Sequence, residues 1–116
     1  MKSIVISLVL QILLIACKSS SQNDSLPSCI AEKIETIKNE PARNPPAEVW
    51  KWQDDKLIYY YITSDCCDQY NYLYNEKCEV ECAPDGGFTG KGNQKCPEFS
   101  DDLKKNLIWK DQRKVK

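Results

Sequence analysis

Two adjacent cysteines, Cys66 and Cys67, open the stretch Ser64-Asp65-Cys66-Cys67-Asp68-Gln69-Tyr70-Asn71-Tyr72-Leu73-Tyr74. They belong to the feature that most limits what this chain can fold into. With Cys17 assigned to a separate role below, Cys29, Cys66, Cys67, Cys78, Cys82 and Cys96 remain, an even set in a short domain. Such a set reads as a disulfide framework in an oxidising compartment. Neighbours on an extended chain point to opposite faces, so Cys66 and Cys67 are expected to staple a tyrosine-rich strand to two separate partners. A bond between the two neighbours is set aside as strained, and the connectivity of the six stays open. The bridges matter because the domain expected over 27–99 is near the roughly 70 to 80 residues below which an apolar core is marginal alone. Each bridge contributes about 2 to 4 kcal/mol. A metal held by Cys66, Cys67, Cys78 and Cys82 is the rival arrangement. It lacks the Cys-x-x-Cys knuckles and reduced thiolates of zinc sites, and no Cys-x-x-Cys redox pair occurs.

The oxidising address follows from residues 1–16, which read as a lipoprotein signal peptide. Lys2 supplies the positive start, an almost wholly apolar run spans Ile4 to Ile15, and Leu14-Ile15-Ala16-Cys17 has the lipobox pattern. Small Ala16 precedes the expected cut, and the Cys17 thiol would carry the diacylglyceryl group on the new N-terminus. The apolar run is well short of the roughly 20 residues that cross a bilayer. Several acyl chains hold a protein on a membrane stably, without a spanning helix. Lys18 is not the aspartate that retains lipoproteins in the inner membrane of enteric bacteria, so the expected address is the bacterial outer membrane. Residues 18–24 carry a single acid, which favours the periplasmic face over the cell surface. Residues 17–26 are polar and serine-rich, and read as a lipidated flexible tether.

Downstream of the tether the pattern becomes periodic. Ile30, Ile34 and Ile37 recur at helical spacing, which predicts a helix over 27–39, opened near Pro27 and stopped by Pro41. Residues 40–47 hold three prolines and read as an extended spacer. Val49 to Gln53 alternate, Asp54-Asp55-Lys56 makes a turn, and 57–63 is rich in Tyr and Ile, which predicts a β-hairpin. Its second strand is apolar or aromatic on both faces, so it is expected centrally, with the helix over one side. A second hairpin is expected from 70–74 and 78–82, with Cys78, Val80 and Cys82 on one face. All four glycines, Gly86, Gly87, Gly90 and Gly92, fall in one loop closed by Cys96-Pro97. Residues 100–116 read as a polar tail with a short helix over 101–109 that uses Leu103, Leu107 and Ile108. The expected class is α+β: one N-terminal helix packed on a small antiparallel sheet of two hairpins, disulfide-stapled, with a Gly-rich C-terminal loop.

Three segments carry a resemblance. They are Asn44-Pro45-Pro46-Ala47-Glu48-Val49-Trp50, Tyr59-Tyr60-Tyr61-Ile62 with Asp65-Cys66-Cys67-Asp68-Gln69-Tyr70-Asn71-Tyr72-Leu73-Tyr74, and Cys82-Ala83-Pro84-Asp85-Gly86-Gly87-Phe88-Thr89-Gly90-Lys91-Gly92 through Cys96-Pro97. Over about residues 29 to 99 the chain resembles a family of small, uncharacterised lipoproteins from Bacteroidota, a domain of unknown function. The Cys-Cys-Asp-Gln and Pro-Asp-Gly-Gly-Phe-Thr-Gly segments are its specific marks. The resemblance carries over no catalytic or binding residue.

Several chemistries are closed off. With no histidine among 116 residues, Ser-His-Asp and Cys-His arrangements and histidine metal sites are absent. A formal net charge of -1 offers no basic footprint for phosphates, so nucleic acid is not an expected partner. The glycine loop lacks the Gly-Lys-Ser/Thr ending of a phosphate loop. Asp65, Asp68 and Asp85 are candidates to meet near that loop as paired carboxylates or a calcium site, against the plainer reading of turn and cap residues. No catalytic residue, cofactor or resident metal is assigned. The expectation is a non-enzymatic, lipid-anchored envelope protein acting in binding or structure. Its partners would be the membrane, through Cys17, and an envelope protein or glycan. The alternative is a protease-inhibitor-like module presenting the loop from Asp85 to Lys95; a carboxylate enzyme comes third.

Overall fold

A computed structural model describes residues 25–116; the expected signal peptide, Cys17 and most of the tether lie outside the described residues. Three isoleucines spaced by four and three residues make one stripe on a helix. In α1 (Ser28–Lys38) that stripe is Ile30, Ile34 and Ile37, all buried. Pro27 stands at the N-cap, where its carbonyl accepts from the amides of Ile30 and Ala31. The helix stops at Asn39, ahead of Pro41.

Five strands follow: β1 (Glu48–Asp54), β2 (Leu57–Ile62), β3 (Tyr70–Tyr74), β4 (Val80–Gly86) and β5 (Lys104–Lys110). They form one antiparallel sheet in the order β4-β3-β2-β1-β5. A helix on an antiparallel, disulfide-linked sheet is the α+β arrangement. The sheet is larger than two hairpins, because β2 pairs with β3 and β5 adds to the free edge of β1. The middle strand is β2, the one with apolar side chains on both faces.

The short helix expected over 101–109 is instead β5. Its register on β1 shifts at Val49/Trp50, so that Val49 faces Trp109 and Trp50 faces Leu107. Ile108 is the extra residue of that bulge. An inserted residue breaks the two-residue period, so Leu103, Leu107 and Ile108 fall at helical spacing in a segment whose backbone is extended. The polar tail read from residue 100 is thus part of the sheet, and beyond it the Asp111 amide donates to the Ala47 carbonyl at 2.9 Å.

The alternation of each strand sorts the core into two layers. On one face Val49, Tyr60 and Ile62 pack with Ile30, Ile34 and Ile37 of α1. On the other, Trp52, Tyr59, Leu73 and Cys82 are covered by Phe99, Leu103 and Cys96. Phe99 meets Trp52 and Tyr59 edge-on at 5.6 and 6.0 Å, and Ser100 donates to the Asp54 carboxylate. The segment after β4 is therefore the second covering layer, and burying a Leu73 side chain between layers is worth about 1.5 to 3 kcal/mol.

Disulfides join the layers. Cys29–Cys78 ties α1 to the turn between β3 and β4, and Cys82–Cys96 ties β4 to the covering segment. Cys78 does not share a strand face with Val80 and Cys82, since it lies in the turn at φ 61. Nor do Cys66 and Cys67 staple β3 to two partners: they bond to each other. The alternation that would separate their side chains does not apply, because both stand in the exposed loop before β3, where the chain turns through φ 61 at Cys67.

Candidate functional site: a tyrosine groove

On β3 the small period-two pattern Tyr70-Asn71-Tyr72-Leu73-Tyr74 sends Leu73 inward to the second layer and the three tyrosines to the α1 side. Their rings form a row, with centroids 6.0 Å apart for Tyr70 and Tyr72 and 6.3 Å apart for Tyr72 and Tyr74. α1 covers only one end. There Tyr74 packs on the helix core and Lys33 Nζ lies 4.5 Å from its ring centroid. Burial, then Tyr72, pushes the Tyr74 hydroxyl above the ordinary phenol range. Towards the other end the row emerges from the helix, with Tyr72 36% and Tyr70 38% exposed.

Between this row and α1 runs a groove of about 600 Å³ with Ile37 and Ile62 at its base. Its remaining wall is the loop before β3, which contributes Asp65, Asp68 and Gln69. Arg43, from the proline-rich connector, ties that loop to the helix end. Its guanidinium donates to the Thr63 carbonyl at 3.2 Å and to Glu40 Oε2 at 2.8 Å, and Nε lies 3.6 Å from Asp65 Oδ1. Nε is buried and, among the described residues, has no hydrogen-bond partner. Cys66 and Cys67 stand exposed between Asp65 and Asp68 in the same loop.

Asp85 does not join the other two aspartates. It lies on the opposite face, where it accepts from Tyr61 Oη at 2.8 Å and from Asn71 Nδ2 at 2.6 Å. Asn71 Oδ1 in turn accepts from the Ser64 amide at 2.7 Å. Burial first, and Asp85 next, push the Tyr61 hydroxyl well above the phenol range, so it remains a donor. Among the described residues no three Asp, Glu or Cys side chains gather as a metal site. The candidate meeting of Asp65, Asp68 and Asp85 does not form; Asp85 instead belongs to a hydrogen-bonded clamp holding β2, β3 and β4 in register.

The glycine loop packs against Tyr70, the outermost ring of the row. Gly87 runs against the Tyr70 ring so tightly that a Cβ would collide with it, and at Gly92 a Cβ would collide with the Ala83 carbonyl. Both have positive φ, which only glycine takes without cost. The Gly90 amide donates to the Gly87 carbonyl at 3.2 Å, turning the chain at Phe88 and Thr89. Phe88 is 90% exposed on that turn. Sequence reasoning named the cysteines, the aspartates and this loop. It missed Arg43, which looks like part of a spacer, and Arg113, whose guanidinium donates to the carbonyls of Ile37, Lys38 and Glu40 at the end of α1.

Comparison with known families adds one finding: the model of a domain of unknown function (DUF6970) matches residues 35–111. The chain belongs to this family. The DUF6970 match takes in the last turn of α1, the whole sheet and its second covering layer, and includes the groove apart from Lys33. Cys29 lies ahead of it, so the Cys29–Cys78 bond ties the start of the helix to the matched region. No curated protein and no solved structure matches the chain. Among the described residues, no helix is long and apolar enough to cross a membrane.

Proposed function

We propose that this DUF6970 protein is a non-enzymatic, lipid-anchored binding module of the bacterial outer membrane, facing the periplasm, whose ligand site is the tyrosine groove. The observation that carries the site is the row of Tyr70, Tyr72 and Tyr74, partly exposed on the α1 face of a covered sheet. Aromatic rings with polar tips, set beside a few polar side chains in a groove of hundreds of Å³, are what ligand sites use. The anchor rests on the lipobox ending at Cys17. The inhibitor alternative is weaker because Phe88 stands on a reverse turn, whereas a protease cleft takes an extended strand. Two experiments test the reading. Cys17→Ala is expected to abolish lipid labelling and move the protein out of the membrane fraction; unchanged fractionation refutes the anchor. Vesicles carrying the full lipidated chain are expected to retain envelope material that vesicles carrying Tyr72→Ala do not. Equal retention by the two refutes the groove.

A further inference from the structure

We infer that the ligand of the tyrosine groove is an uncharged oligosaccharide, bound along a track of rings that runs from Tyr74 through Tyr72 and Tyr70 to Phe88. This rests on the groove being the binding site. The charges point away from anions. Both cations of the groove are already engaged, Lys33 over the Tyr74 ring and Arg43 with Glu40, the Thr63 carbonyl and Asp65. Against them stand Glu40, Asp65 and Asp68, so a phosphate or carboxylate would meet surplus negative charge, and the one buried, unsatisfied cationic donor among the described residues, Arg43 Nε, lies beside Asp65. What the groove does offer is acceptors, the Gln69 amide with both donor and acceptor atoms, and phenol hydroxyls on exposed rings. Sugar hydroxyls both donate and accept, and the C–H faces of sugar rings lie on aromatic faces.

An extended peptide is less well served. β3 is an inner strand, paired with β2 and β4, so no backbone edge is open in the groove for strand addition. The track continues past Tyr70 because the next surface is Gly87, packed on the Tyr70 ring, and the next residue is Phe88. The loop that carries Phe88 is built to hold still. The Gly92 amide donates to the Gly86 carbonyl at 3.0 Å, and the Asn93 amide to the Ala83 carbonyl at 3.0 Å. A preformed loop loses little entropy on binding. That accounts for a phenylalanine displayed at the surface with no core contact.

The test titrates the full lipidated chain in detergent micelles with three kinds of probe: the uncharged hexasaccharides cellohexaose and hexa-N-acetylchitohexaose, an oligolysine peptide, and inorganic phosphate. At least one hexasaccharide is expected to bind, with Tyr72→Ala weakening it by roughly tenfold and Phe88→Ala by about three- to tenfold. Both substitutions are at exposed rings, and unchanged circular dichroism and unfolding midpoint show that each variant is folded. Binding of oligolysine but not of the sugars, lost in Tyr72→Ala, overturns the sugar assignment and leaves the groove standing. Sugar binding indifferent to Tyr72→Ala overturns the groove as well. Failure of both uncharged sugars to bind overturns the inference, as does binding of phosphate alone.

Discussion

Tyr61 shows how a single side chain secures the middle of the sheet. Its hydroxyl donates to Asp85 from the neighbourhood of Asn71, and its ring stacks on Trp52 at 5.4 Å. In the unfolded chain the phenol loses its proton near its ordinary value of 10.0, whereas burial and Asp85 hold that proton to higher pH in the fold. The neutral hydroxyl therefore contributes stability that is complete below about pH 10 and is lost as pH rises through the folded value. Tyr61→Phe is expected to cost about 1 to 2 kcal/mol at neutral pH, since Asp85 keeps only Asn71. The variant should also decline less steeply than the wild type in alkali. Urea unfolding at neutral pH and at about pH 11 reads both effects, and an equal alkaline decline in the two proteins would count against the clamp. Leu73 gives the matching test of the core beneath. It is fully buried, and Leu73→Ala is expected to cost about 2 to 5 kcal/mol.

At the scale of elements, the isoleucine stripe of α1 and the two-faced β2 were legible because each repeats a period that only one secondary structure satisfies. β5 was not, because the bulge at Ile108 erases its period and its edge position leaves Leu107 and Ile108 exposed. The partners of Cys66 and Cys67 were not legible for a related reason: the two stand in a loop, where strand alternation does not hold. The pairing of Cys29 with Cys78 could not be read at all, since it depends on which turn the helix start overlies. Breaking it in the double variant Cys29→Ala, Cys78→Ala is expected to cost about 2 to 4 kcal/mol, measured by denaturant unfolding. The end of α1 is held by a residue from the far terminus. Arg113, oriented by Asp111 at 2.8 Å, donates to the helix's last two carbonyls, Ile37 and Lys38, and to that of Glu40 just beyond. Removing it leaves the Lys38 and Glu40 carbonyls to water and the Ile37 carbonyl with the Glu40 amide alone. Arg113→Ala is expected to speed amide exchange at Asn39 and Glu40 while leaving Ile34 protected; uniform exchange along α1 would show that the helix does not need this cap.

For the whole molecule, each face of the sheet has one cover and each cover one long-range disulfide. α1 leaves the Tyr70 end of its face open, whereas the segment after β4 closes the other face around Trp52 and Leu73. The asymmetry concentrates aromatic surface on one side, next to a loop whose glycines fix Phe88 outward. The candidate site was half legible: the tyrosines and aspartates stand out in the chain, but which of them share a face depends on where β3 pairs. Pairing of Tyr60 with Tyr74 and of Ile62 with Tyr72 placed the row over the groove and sent Asp85 behind it. The most direct test of the groove as a binding surface is hydroxyl-radical footprinting of Tyr72 in intact cells and in the purified lipidated protein. The account predicts that Tyr72 is labelled in the purified protein and protected in the envelope, while exposed Leu57, away from the groove, is labelled alike in both. Equal labelling of Tyr72 in the two settings would contradict it.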